Sequence, residues 1–260
     1  MINKSLLKQI IKSNVKLYAI ITLLMCALII VIMSVFVPSA FTAINNSSQG
    51  LPFNPLGDVS TLIAFLANQY FGMMAIIFPM IYTFIAGNKL LAAQVDKGSL
   101  AFIMATPTSR KTVTFTSAFY LVGSLFLMYA LIFGLGVVTA EIAQPGILEI
   151  GTFFQLTLGC FLLQFAISGI TFFASALFNS GSKSMSLGAG IPIFFFAMKL
   201  ISGFSDKLKS LKYLSMNTLF DTVAIQLGKT HSTQFLVMFG IGLVLYICGI
   251  VAFNRKDLPL

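Results

Sequence analysis

The chain has 260 residues, 58% of them hydrophobic and only 9% charged, and its formal net charge is +9. A soluble domain carries about 25% charged residues, so this composition cannot clothe a water-facing surface and excludes a soluble globular protein. The basic residues sit between long apolar segments, a pattern that fits membrane topology and attraction to anionic lipid and argues against nucleic-acid binding.

In chain order, residues 1–16 come first. Lys4, Lys8, Lys12 and Lys16 recur every four positions, with Leu6, Ile10 and Leu17 on the opposite helical face. This spacing predicts an N-terminal amphipathic helix lying on the inner leaflet. A plain positive-inside anchor is the competing reading. The first apolar run, 17–37, is too long for a signal-peptide core and lacks a clean small-x-small cleavage site, so it reads as an uncleaved span.

Residues 38–60 are rich in Asn, Ser, Pro and Gly and read as an irregular loop. Further uncharged runs cover 61–87, 113–140 and 150–178, each longer than the roughly 20 residues a spanning helix needs. A short turn around Pro145 and Gly146 lies between the last two. The run 185–204 contains a single charge, Lys199, near its outer end, where the side chain can snorkel. In the loop 205–234, Leu214, Leu219, Val223 and Leu227 are placed to line one face of a helix dipping into the outer leaflet, or else of a solvent-exposed loop helix. The last run is 235–253. The fold class is therefore all-α, an integral membrane protein of six transmembrane helices with an N-terminal interfacial helix, in a single domain over 1–260. Barrel-type alternation is missing.

Orientation follows from Lys and Arg. With six spans, Lys4, Lys8, Lys12, Lys16, Lys89, Lys97, Arg110, Lys111, Lys183, Arg255 and Lys256 share one side. Lys207, Lys209, Lys212 and Lys229 take the other. The bias puts both termini in the cytoplasm.

Pro79 and Pro192 lie inside spans and predict local kinks or unwinding. Ser180, Ser184 and Gly188 repeat every four residues, as do Ser182, Ser186 and Gly190. Small residues at that spacing allow close helix approach, inside the chain or at a dimer seam.

Little in the sequence points to an enzyme. Gly228-Lys229-Thr230 has the end of a phosphate-binding loop, but Val223 stands where the motif needs its first Gly. No catalytic residue, cofactor-binding residue or metal site is expected. Cys26, Cys160 and Cys248 lie in apolar runs without CxxC spacing and read as buried thiols. The sole histidine, His231, has no companion ligand. Intramembrane charge, the usual mark of ion coupling, is nearly missing, so energy has to come from a partner.

That directs attention to 88–112, NKLLAAQVDKGSLAFIMATPTSRKT. It is the one internal stretch where charge, Gly and Pro collect with helix-forming residues between them. Gly98 can act as a corner, and Pro107 biases Thr106 toward an extended shape.

Gln94-Val95-Asp96-Lys97-Gly98-Ser99-Leu100 followed by Ala105-Thr106-Pro107-Thr108-Ser109-Arg110 resembles the permease (transmembrane) subunits of type-2 ATP-binding-cassette (ABC) exporters. The ending Phe253-Asn254-Arg255-Lys256-Asp257-Leu258-Pro259 resembles theirs too. In that family Glu often occupies the position of Gln94.

The resemblance implies a cytoplasmic coupling loop between the second and third spans. Gln94, Asp96, Lys97, Gly98, Ser99, Thr106, Pro107, Ser109 and Arg110 would dock on separate cytoplasmic ATPase subunits. ATP and Mg would be held by that partner, with no cofactor in this chain. It also implies a second permease copy or a related permease, a multi-pass place in a bacterial cell membrane, and outward transport of an amphipathic or lipophilic substrate such as a peptide or drug-like compound. Phe71, Met73, Met74 and Phe78 are candidate path-lining residues, with lipid-facing packing as the alternative. Two other functions stay open: a non-transporting six-helix scaffold or sensor-associated protein, and an ion-coupled carrier.

Overall fold

The computed structural model describes residues 2–35, 61–105, 108–203, 208, 211, 213–229 and 232–257. Among these, every regular element is helical. Six helices are long and apolar enough to cross a membrane: α1 (Lys4–Val35), α2 (Leu62–Leu90), α5 (Arg110–Ala143), α6 (Ile150–Leu177), α7 (Gly181–Ser202) and α9 (Ser232–Arg255). Short helices α3 (Ala92–Asp96) and α4 (Ser99–Met104) lie between α2 and α5. A 3-10 turn, Met216–Leu219, and α8 (Thr222–Gln226) precede α9.

The centre of the bundle is α6. It packs against α9, α2, α7 and α5, while α1 lies outside it against α5 and α2. The α6–α9 seam shows how sequence sets this arrangement. Gly242 and Gly249 of α9 are seven residues apart, as are Phe165 and Phe172 of α6. A Cβ on Gly249 would lie 2.9 Å from Phe172, and one on Gly242 would overlap Phe165. Two aromatic knobs thus fill two glycine holes, the close approach that membrane helices use when lipid offers no hydrophobic drive.

Each in-span proline leaves one carbonyl without its helical donor, because it has no N–H to give to the residue four back. For Pro79 that carbonyl is Ala75. Tyr129 Oη of α5 donates to it at 2.6 Å and Cys160 Sγ of α6 at 3.4 Å. Gln164 Nε2 donates to the adjoining Ile76 carbonyl at 2.6 Å. For Pro192 the orphan is Gly188, and Thr171 Oγ1 of α6 donates to it at 3.1 Å. In lipid no water can satisfy these groups, so neighbouring helices must. Just before Pro79, residues Leu66–Met74 of α2 are wound as a π-helix.

Two expectations about helices need correction. The N-terminal amphipathic segment is not a separate interfacial helix: Lys4–Val35 is one unbroken helix. No Gly or Pro interrupts it, and the side opposite the lysines is covered by protein, since Leu6, Ile10 and Asn14 are buried. Lys4, Lys8, Lys12 and Lys16 are all exposed. In the outer loop, Leu214, Leu219, Val223 and Leu227 do not share one helix. Phe220 drops fully buried onto Gly159, and Asp221 Oδ1 then accepts from the N–H of Ala224 to start α8 afresh. Leu214, Val223 and Leu227 are left exposed.

Cys26 and Cys160 are buried, as the apolar runs predict, whereas Cys248 lies on the outside of the bundle. The loop 38–60, Phe204, Lys207, Lys209, Lys212 and His231 lie outside the described residues.

Candidate functional site

The site is the end of the bundle that holds Asn3 and Lys256. The second span stops at Leu90 because Leu91 leaves helical geometry (φ −132°, ψ −68°). Ser175 of α6 mends the break: its Oγ accepts from the N–H of Ala92 at 3.0 Å and donates to the Asn88 carbonyl at 3.4 Å. After α3 the chain turns at Gly98, whose φ of +68° suits glycine. The Gly98 N–H donates to the Val95 carbonyl, and Ser99 Oγ donates to the Gln94 carbonyl. Four residues of the suspected motif thereby form one corner.

Beyond that corner α4 has two unlike faces. Leu100 is fully buried, but Phe102 is 80% exposed. Thr106 and Pro107 lie outside the described residues. Ser109 then caps α5, its Oγ accepting from the N–H of Thr112 at 3.2 Å.

Long-range bonds stitch this end together. Asp96 Oδ2 accepts from the N–H of Gly181, the first residue of α7, at 3.0 Å. Arg110 Nη1 donates to the Lys256 carbonyl at 2.9 Å, and Lys256 Nζ donates to the Ala176 carbonyl at 3.1 Å. The N–H of Asn3 donates to Thr116 Oγ1 at 3.3 Å. Burial lowers the Lys256 ammonium to about 8. Arg110 is thus bound within the chain, holding the end of α9, which its place in the motif did not reveal.

A family model described as ABC-2 family transporter protein matches residues 8–258. The chain belongs to the ABC-2 transporter family. It is a multi-pass membrane protein and a permease subunit of an ABC transporter, in a family whose members work with ABC ATPase partners. No curated protein matches it.

Within this ABC-2 permease the four path candidates, all on α2, do not share a face. Phe71 is fully buried, edge-on to Tyr70 and Phe153 with ring centroids 5.1 Å and 5.7 Å away. Met73 is exposed, and Met74 and Phe78 are half-buried. The phosphate-loop fragment has another use. Gly228 (φ +71°) ends α8, with its N–H on Ile225 and that of Lys229 on Ala224, the two bonds of a Schellman cap. Thr230 lies outside the described residues.

Sequence reasoning missed Tyr129, Gln164, Thr171, Ser175 and Lys256. The prolines predict local kinks or unwinding, but nothing local says which helix supplies a donor to the carbonyl four residues upstream.

Proposed function

We propose that this permease is the membrane subunit of an ATP-driven exporter and that it couples to its ATPase through the 88–112 segment. The observation that carries this reading is Phe102, a large aromatic side chain left exposed on α4 beside a corner fixed by Gly98. Aromatic side chains are enriched among the few anchors that supply most interface energy. The segment is tied to α6 by Ser175 and to α7 by Asp96, so a push on α4 reaches two spans directly.

In this reading the end holding Asn3 and Lys256 is cytoplasmic, because it collects most Lys and Arg. Gln94, Lys97 and Ser99 support the docking face, while Asp96, Ser109 and Arg110 hold its frame. ATP and Mg belong to the partner, and this chain does not hydrolyse ATP. Two permeases, identical or related, pair to enclose the path. Met73, with the half-buried Met74 and Phe78, faces it, and Phe71 backs it from the core. Such an apolar wall suits an amphipathic or lipophilic cargo in the cell membrane of a bacterium.

Reconstituting the chain with the ATPase encoded beside it tests this. ATP-dependent efflux of a lipophilic dye from vesicles is expected. A chain that forms no ATPase complex, or transports equally without ATP, contradicts it.

A further inference from the structure

Between the first half of α1 and the 89–103 segment runs an open cleft of about 610 Å³. Polar and apolar side chains share its walls. Lys89 and Lys97 stand at one side, both exposed, with Ser99 beside them, and Ser13 lies on α1 opposite. No carboxylate lines it among the described residues. The only acid of α3, Asp96, is engaged by Gly181.

Two amides of the cleft wall are incompletely used. Asn14 is 2% exposed, and its Nδ2 donates to the Ile10 carbonyl while its Oδ1 accepts nothing. Gln94 repeats the pattern: its Nε2 donates to the Lys89 carbonyl and its buried Oε1 accepts nothing. Unpaired buried acceptors are costly to leave unmade. Among the described residues, then, two amide oxygens at the cleft wall accept no hydrogen bond, and the two ammonium groups have no carboxylate in the cleft beside them.

One chemical group answers both needs. We propose that the cleft binds a glycerophosphate group, whose phosphate takes Lys89 and Lys97 and whose hydroxyls donate to Asn14 and Gln94. The phosphate would accept from the lysines as from point charges. The level of the cleft favours a lipid source. Lys89 and Leu90 are the last residues of the second span, and the exposed lysines Lys4–Lys16, on the far face of α1, belong to the same end of the bundle, where an anionic leaflet would meet the protein. A phosphatidylglycerol headgroup there would brace α1 against α3 and α4. Gln94, Lys97, Ser99 and Phe102 line both this cleft and the proposed docking face, but the lipid readout below needs no ATPase.

Native mass spectrometry of the full chain, purified in detergent and doped with defined lipids, tests it. Wild type is expected to retain phosphatidylglycerol over phosphatidylcholine, and over phosphatidic acid, which has the phosphate without the hydroxyls. Lys89→Gln with Lys97→Gln should lower retained phosphatidylglycerol roughly thirtyfold, the order expected for two charges at a membrane surface. Asn14→Leu should erase the preference over phosphatidic acid while keeping that over phosphatidylcholine; if that variant does not purify as a monodisperse peak, Gln94→Met takes its place. Binding of free glycerol 3-phosphate by delipidated chain, lost in the double-lysine variant, would assign the same chemistry to a soluble ligand. A double-lysine variant that retains phosphatidylglycerol like wild type overturns the proposal. So does loss of retention only when Lys4, Lys8, Lys12 and Lys16 are all changed to Gln, which would place the anion on the outer stripe.

Discussion

Asp96 in the segment between the second and third spans holds the first backbone N–H of the fifth, Gly181, at 3.0 Å. The carboxylate sits where an N-cap oxygen would, but it comes from 85 residues upstream. A helix start needs an acceptor for its free N–H groups, and a negative one suits the dipole. This bond therefore ties together the two loops at this end.

Asp96→Ala should remove that tie at a cost on the order of 1 kcal/mol, as for other N-cap losses. Asp96→Asn keeps an oxygen acceptor and should recover most of it. Thermal unfolding in detergent reads the stability, and transport in vesicles reads the coupling. Equal behaviour of the Ala and Asn variants would show that the bond carries neither.

The proline carbonyls give a sharper test of packing. Tyr129→Phe should destabilise by about 1–3 kcal/mol, because it strips a donor from the buried Ala75 carbonyl. Pro79→Ala restores an N–H four residues on and so should shrink that cost. A double-mutant cycle measures the difference. Strict additivity would mean that Tyr129 does not serve the proline's orphan.

The helix seam predicts a contrast between two glycines on α9. Gly249→Ala forces its Cβ onto Phe172, whereas Gly240→Ala meets open space in the chain. The first should cost on the order of 1–3 kcal/mol through overpacking, the second almost nothing. Melting temperatures of the purified variants compare them directly.

Lys256 gives the pH dependence. Burial lowers its ammonium from 10.5 to about 8, so the unfolded chain binds this proton more tightly than the folded one. The strain of the buried charge is fully present below about pH 8. Stability should then rise with pH up to about 10.5 as the folded group sheds its proton first. Lys256→Met should abolish that rise. Thermal melts at pH 7 to 10 compare the two, and parallel curves would contradict the assignment.

Much of this architecture is legible in the sequence because lipid leaves few choices. Uncharged runs such as 113–140 and 150–178 can only be helices across a bilayer; α5 extends the first by three residues at each end, and α6 stops one residue short of the second. The Gly98 corner is legible for a similar reason, since the left-handed turn selects its residue. The continuity of α1 was not, because amphipathic spacing is the same whether lipid or protein covers the apolar side. Nor was the fate of Arg110, whose partner Lys256 lies 146 residues away. A charged group in a loop looks available until its long-range acceptor is seen. The outer loop misled through Leu214 to Leu227: the spacing suited one helix, but burying Phe220 against Gly159 wins over extending it.

The central claim is that α4 is the docking face for the ATPase, and Phe102 tests it most directly. It is 80% exposed, so Phe102→Glu should leave folding and membrane levels intact. An aromatic anchor at an interface contributes about 2 kcal/mol or more, so the variant should lose most co-purifying ATPase and its ATP-dependent efflux. Full ATPase recovery and full efflux by Phe102→Glu, at wild-type levels of the chain, would contradict the account.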